Sequence, residues 1–452
     1  MKSGFIQVEN GDFKLNGEKI MLRGFVVGTW MMIESFMLRM PGTEKRIRQT
    51  YAEVYGKENE ESFFDDFLNY FINEEDFRLL KSMGINVLRL PFGYRHFEND
   101  QVPGMYIQKG FKHLDRVLEL CRKYEIYAIL DMHSSPGGQN PDSHGGSDAG
   151  VSEFWEDALA RERIIKLWGY IANKYKDDTI IAGYDILNEP SFVSNRTAFN
   201  GFYNKVIKEI RDVDNNHIIF LEGDDWAKDF SIFDNLGGYQ QAISFHFYPG
   251  QHVYMSEKSE VRKAQLEEKI SYFTQLRERT GMALWVGETG GHFPKDKLIE
   301  GTKLVKDCLD IFEKHSISWT LFTYKDAGAM GLVYPKEDTK WMSMADDFRH
   351  QWQLKVRSNK TIEKEIFELV ENKFSFTISE KLKEPLGFRI NAFLHELYIH
   401  MLVKPKLQSI PWEEMKEYPK SFLLENCEGL EELAELVESY TIQAASESPD
   451  AK

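Results

Sequence analysis

The feature that most restricts the fold of this chain is a strand-then-helix alternation that runs through most of its length. Eight short apolar runs, each suited to a strand buried on both faces, are separated by stretches of mostly helical periodicity. The runs are Leu22–Val27, Val87–Pro91, Tyr127–His133, Ile181–Leu187, His217–Leu221, Ala242–Tyr248, Met282–Gly287 and Ile317–Phe322. Among the helical stretches, Asn73–Gly84 opens on an Asn cap followed by acids and closes on Gly. Gln108–Tyr124 carries Phe111, Leu114, Val117, Leu118 and Cys121 on one face. Strand and helix alternating eight times predict an α/β fold, a (β/α)8 TIM barrel. A doubly wound sheet is the competing architecture, but no GxGxxG follows a strand.

The flanks add an N-terminal β-hairpin and a C-terminal helical extension. Asn10-Gly11 and Asn16-Gly17 are strong turn signals, so residues 5–24 read as a hairpin covering the bottom of the barrel. Residues 28–65 form an unusual loop, with Trp30, Met31, Met32, Phe36, Met37 and Met40 clustered outside the alternation. Two readings stand open for it: an adaptable wall for an apolar aglycone, or a helix packed on the barrel. After a last barrel helix near Trp341–Trp352 no further strand-end motif occurs. The expected division is a catalytic barrel over 1–355, a helical extension over 356–443 and a disordered tail over 444–452. Phe367–Val370, Ile390–Leu402 and Phe422–Val437 read as amphipathic helices of that extension.

A net charge of -16 argues against nucleic acid or an anionic membrane as the main partner. Cys121, Cys308 and Cys427 are too few and too scattered for a disulfide framework or a zinc site. The first residues lack the apolar core of a signal peptide, and no run of about 18 apolar residues exists to span a membrane. The expected location is therefore cytoplasmic. Aromatics make up 13% of the chain, with 9 Trp and 20 Tyr, enough to supply flat platforms for sugar rings beyond the needs of a core.

In a barrel enzyme the chemistry lies where the strands end. Those positions carry Arg89, His133, Asn188 with Glu189, Glu222 with Asp224, His246 with Tyr248, Glu288, and the aromatics Trp319, Phe322 and Tyr324. Histidines and carboxylates in this number raise the question of a metal, but no HxH or HExxH spacing occurs, and Arg and Tyr suit a sugar better than a cation. No metal and no cofactor is expected. Two strand-end glutamates, Glu189 and Glu288, match what cleavage of a glycosidic bond needs: one carboxyl that donates a proton and one that attacks or stabilises the anomeric carbon. Arg89 and Tyr248 would ionise one of them. The other would keep its proton beside apolar or anionic neighbours.

The ordered set Arg89-Leu90-Pro91, Asp131-Met132-His133, Asn188-Glu189-Pro190, His246-Phe247-Tyr248 and Gly287-Glu288-Thr289 resembles that of glycoside hydrolase family 5, the cellulase family, over roughly residues 5–355. The resemblance implies a retaining mechanism with Glu189 as acid/base and Glu288 as nucleophile. It implies that Asn188 binds the sugar 2-hydroxyl, that Arg89 and Tyr248 orient Glu288, and that His133 and His246 shape the sugar subsite. The family's sugar-stacking Trp aligns with Phe322, while Trp319 falls three residues earlier, behind the barrel wall. The run Asp131–Asn140 resembles that of members acting from the chain end, such as exo-β-1,3-glucanases and β-glucosidases. The following Gly-, Asp- and His-rich loop over 141–150 would close one end of the cleft. The expected activity is exo-hydrolysis of β-glucosides or β-glucan oligosaccharides. Endo-action, a lipid or steroid β-glycoside as substrate, and a catalytically inert carbohydrate-binding barrel are the alternatives.

Overall fold

The computed structural model describes residues 4–254, 257–291, 298–328, 330–351 and 359–442. Strands β1 (Ile6–Glu9), β2 (Asp12–Leu15) and β3 (Glu18–Lys19) form a small antiparallel sheet. The expected hairpin thus gains a third strand, because the Asn16-Gly17 turn sends the chain back against Lys14 and Leu15. Val8 N donates to Gln240 Oε1 at 2.7 Å, which seats this sheet at the end where the barrel strands begin.

The barrel strands are β4 (Arg23–Val26), β5 (Val87–Gly93), β6 (Tyr127–Ser134), β7 (Ile181–Asp185), β8 (Ile218–Leu221), β9 (Gln241–His246), β10 (Ala283–Thr289) and β11 (Ser318–Leu321). They pair in parallel and close as β10-β11-β4-β5-β6-β7-β8-β9. Each of the eight apolar runs holds one strand, so the (β/α)8 fold is as expected. From β5 through β11 every strand residue is buried, as both-face burial between core and helices requires.

Residues 28–65 are not a loop wall. They include helices Ser35–Leu38 and Glu44–Tyr55, and a third, Lys57–Phe71, begins within them. Thr43 caps the second of these by accepting from Arg46 N. Phe63, Phe67 and Phe71 recur every fourth residue and are buried with Met31, Met32, Met37 and Met40. Packing onto the barrel consumes the apolar surface that an aglycone wall would have offered.

Helices Asn359–Phe374, Glu380–Tyr398 and Glu431–Thr441 carry most of the extension. Phe422–Val437 is not one helix. β13 (Cys427–Gly429) interrupts it by pairing antiparallel with β12 (Val333–Pro335), which supplies the backbone partners a helix would otherwise have provided. The expected boundary at 355–356 and the tail 444–452 lie outside the described residues.

A buried ion pair within the barrel also holds the extension, through a hydrogen bond from Lys325 to the Phe422 carbonyl. Lys325 Nζ, just past β11, lies 2.5 Å from Asp76 Oδ1, and both side chains are fully buried. Tyr324 Oη donates to the same oxygen at 2.8 Å, and Lys325 donates to Phe422 O at 2.8 Å. The other Asp76 oxygen accepts from Asn73 N and completes the capping box of helix Glu74–Ser82. Removing one partner strands the other charge. Lys325→Met is expected to cost about 3–5 kcal/mol in urea unfolding, far more than removal of an exposed pair such as Lys208–Asp212.

Candidate active site

Arg89 leaves β5 pointing into the barrel and is fully buried. Its guanidinium sits over the Trp285 ring at 6.0 Å. Nη1 donates to Glu288 Oε1 at 2.6 Å, Nη2 to Asn188 Oδ1 at 2.9 Å and to Glu222 Oε1 at 3.1 Å, and Nε to Asp185 Oδ2 at 3.1 Å. Asp131 Oδ1 adds a fourth carboxylate at 3.2 Å from Nη2. The field of these anions, chiefly Asp131 and Asp185, outweighs burial and holds the Arg89 charge firmly in place. Asp185 relieves the excess of negative charge: burial and Glu222 push its carboxyl well above the usual range, Arg89 notwithstanding.

Glu288 ends β10 and receives a second donor, Tyr248 Oη, on Oε2 at 2.7 Å. Glu189 lies in the turn after β7, in a left-handed backbone conformation with φ 48°. Both its backbone groups are held: its N donates to Glu222 Oε2 at 2.6 Å, and its O accepts from Asn140 Nδ2 at 3.0 Å. Glu189, Glu288 and His246 each offer an atom within 4.8 Å of the other two. The same spacing would suit a cation, but Glu288 already carries the Arg89 guanidinium at 2.6 Å, which opposes a second positive charge there.

His246 Nδ1 is 2.7 Å from Glu189 Oε1, and His144 Nε2 is 3.1 Å from Glu189 Oε2. The expectation that the second glutamate would sit among apolar or anionic neighbours is therefore corrected: two imidazoles flank it. Burial works to raise the Glu189 carboxyl, but His246 and His144 win and hold it well below the carboxylate range. At Glu288 burial prevails over His246 and Arg89, and with the nearby Glu189 it leaves that carboxyl raised. His246 itself is held protonated, since Glu288, Glu222 and Glu189 outweigh its burial.

His133 ends β6 with Nδ1 2.7 Å from Asp131 Oδ2 and Nε2 3.6 Å from Glu34 Oε1. Asn188 gives its carbonyl oxygen to Arg89, which leaves its buried Nδ2 without a partner among the described residues. Phe322 packs with Val26 and Met37 and meets the Tyr248 ring edge-on at 6.5 Å. Trp319 is behind the wall as expected, donating to Glu313 Oε1 at 2.9 Å. Arg89, Asn188, Glu189, His246, Tyr248 and Glu288 thus form one network, with His133 joined through Asp131 and Phe322 against Tyr248. Strand-end reading missed Glu34 and His144, which lie on loops. The clue to His144 was the composition of the 141–150 loop; His144, and Asn140 just before the loop, both clasp Glu189.

The model of the cellulase family, glycosyl hydrolase family 5, matches residues 48–328. A β-xylosidase of Phanerodontia chrysosporium is 33% identical over 444 residues, covering 91% of this chain and 93% of the relative. The chain belongs to glycosyl hydrolase family 5. A glucan 1,3-β-glucosidase of Candida oleophila is 27% identical over 54% of this chain and 61% of its own length. Among solved structures, an endogalactoceramidase superposes with a TM-score of 0.55 at 16% identity, over 72% of this chain and 75% of that one, a likeness of fold. As a family 5 member the protein is a retaining glycoside hydrolase. One oxygen of Glu189 lies within 4.8 Å of one oxygen of Glu288, which is short of the about 6.5–9.5 Å between carboxyls that inversion needs.

The charges around the site make stability depend on pH. His133 is pushed up from 6.5 to about 10 and His144 to about 9: burial opposes this, but Asp131 and Glu34 overcome it at the first, Glu189 and Asp142 at the second. Folded pKa values above the unfolded one mean a contribution complete below about pH 6.5, shrinking as pH rises, and lost above about 9–10. The thermal unfolding midpoint is expected to fall from about pH 7 to about pH 10, with a flatter slope in His133→Asn.

Proposed function

We propose that this enzyme removes single sugars, glucose foremost, from the ends of β-linked substrates, with Glu189 as acid/base and Glu288 as nucleophile. The observation that carries the reading is the unequal company of the two carboxyls. Glu288 receives two fixed donors, Arg89 at 2.6 Å and Tyr248 at 2.7 Å, which aim it and suit a leaving carboxylate. Glu189 shares the proton of His246 along a 2.7 Å link, and the negative charge growing on the departing oxygen draws that proton across Glu189, which relays it rather than stores it. In the second step the same group takes a proton from the water that releases the sugar.

Asn188 Nδ2, orphaned and buried, is placed to donate to the sugar 2-hydroxyl. The charged pair His133 and Glu34 grips further hydroxyls, and Phe322 offers a ring face to the sugar. Exo-action is supported by the way the 141–150 loop is tied over the cleft: His144 rests on Glu189, and Asp148 Oδ2 pairs with Lys45 Nζ at 2.6 Å. A β-xyloside is the second reading, favoured because the relative that spans the extension as well as the barrel bears the name β-xylosidase. The three cysteines, all unpaired, fit a cytoplasmic location.

A panel of p-nitrophenyl β-glycosides tests the reading. Glu288→Gly is expected to lose about 10⁴-fold or more in kcat, and azide is expected to restore turnover as a glycosyl azide of inverted anomeric configuration. Glu189→Ala with azide is expected to yield the azide of retained configuration instead. Exchange of these two outcomes would reverse the assignments. Faster turnover of the xyloside than of the glucoside would move the sugar to the second reading.

A further inference from the structure

The leaving group departs on the Glu189 side of the site, and that side is lined by aromatics from two separate parts of the chain. The His144 ring, whose Nε2 is 3.1 Å from Glu189 Oε2, lies 5.7 Å from the Trp226 ring. Trp226 lies 5.9 Å from Phe388 at a shallow angle of 34°, and Phe388 meets Phe192 edge-on at 5.8 Å. Trp226, Phe388 and Phe192 are each only partly buried, so the row keeps an open surface. Phe388 belongs to helix Glu380–Tyr398 of the extension and lies outside the span matched by the family model.

The backbone is arranged to bring these rings together. Asp225, Trp226 and Ala227 stand in consecutive left-handed conformations, φ 52°, 60° and 61°, an unfavourable turn for residues with side chains. Trp226 N donates to Pro190 O at 3.1 Å, which ties the turn to the segment carrying Glu189. Gly150, at φ +69°, lets the 141–150 loop press directly on the Phe388 backbone, where a Cβ would collide with the carbonyl. The helix is anchored near its C-terminal end by Arg46 Nε donating to Glu396 Oε2 at 2.8 Å.

We propose that Trp226, Phe388 and Phe192 form the leaving-group subsite, an aromatic platform for the flat face of a ring attached through the glycosidic oxygen, and that the extension exists in part to complete it. The inference rests on Glu189 being the acid, as proposed above. Ring-bearing leaving groups of two kinds share this chemistry, a second pyranose and an aryl or polycyclic aglycone. The platform is uniform binding surface, so its loss acts on kcat/KM rather than on the chemical step.

The test compares substrates with and without a ring on the leaving side. In Phe388→Ala and Trp226→Ala, kcat/KM for p-nitrophenyl β-glucoside or for cellobiose, or for both, is expected to fall about five- to tenfold. β-Glucosyl fluoride, whose leaving group has no ring, is expected to stay within about twofold of wild type in both variants. Phe388→Tyr is expected to keep wild-type values on every substrate. Loss on cellobiose alone identifies a sugar as the occupant, and loss on the aryl glucoside alone an aglycone. Equal losses on the fluoride and the ring-bearing substrates, or no loss on either ring-bearing substrate in Phe388→Ala, would overturn the proposal. Should the wild type hydrolyse β-xylosyl but not β-glucosyl fluoride, the glucose reading fails and the same ratios, read on xylosides, still decide the platform.

Discussion

A single guanidinium, fully buried inside eight parallel strands, is the interaction on which the site depends. Arg89 faces Asp131, Asp185, Glu222 and Glu288 at once, and it is the cation through which these acids coexist without water. Even beside it the Asp185 carboxyl stays raised by burial and Glu222, and without it carboxylates so close would take up more protons. The planar fork of arginine has the donors to bind Glu288 on one nitrogen and Asn188 and Glu222 on another, a geometry that a lysine could not reproduce. The positions of Glu288, Asn188 and Glu222 are therefore set by one plane resting on Trp285.

Glu222 passes that order on to Glu189. One of its oxygens accepts from Arg89, and the other accepts from the Glu189 backbone N. Because Asn140 also holds the Glu189 carbonyl, the left-handed turn that carries the Glu189 carboxyl is fixed by two hydrogen bonds. A strand could not do this, since β7 ends at Asp185 and its period would send Glu189 along one face or the other.

What could be read from the sequence follows from what is local. Parallel strands buried on both faces leave continuous apolar runs, and barrel enzymes put chemistry at the strand ends, so Arg89, His133, Asn188, Glu189, His246, Tyr248 and Glu288 were visible as a set. Glu34, His144 and Phe388 were not, because loops and a distant helix deliver them: Phe388 is far beyond the last barrel strand in sequence yet 5.9 Å from Trp226. For helices Glu44–Tyr55 and Lys57–Phe71 the sequence left two readings open, an apolar wall or a helix packed on the barrel, and the second is the one found. Met and Phe outside the alternation resemble an exposed apolar loop, and only the four-residue recurrence of Phe63, Phe67 and Phe71 distinguishes a packed helix. The 2.7 Å contact of His246 with Glu189 could not be read either, because a strand-end histidine has two directions to point.

The extension shares the barrel's core. Val403, Leu407, Met415, Phe422 and Val437 belong to the same continuous cluster as the barrel strands and the helices over 44–71. Polar links run the same way: Thr441 Oγ1 donates to Met83 O, and Tyr55 Oη donates to Leu407 O at 2.6 Å. Taking the extension away would uncover the Lys325–Asp76 pair and leave the Lys325 ammonium without the Phe422 carbonyl. The helix that carries Phe388, Glu380–Tyr398, joins this core at its end through Tyr398 and is tied to the barrel side by Arg46 and Glu396, and in this way a ring far from any barrel strand in sequence comes to lie beside Trp226.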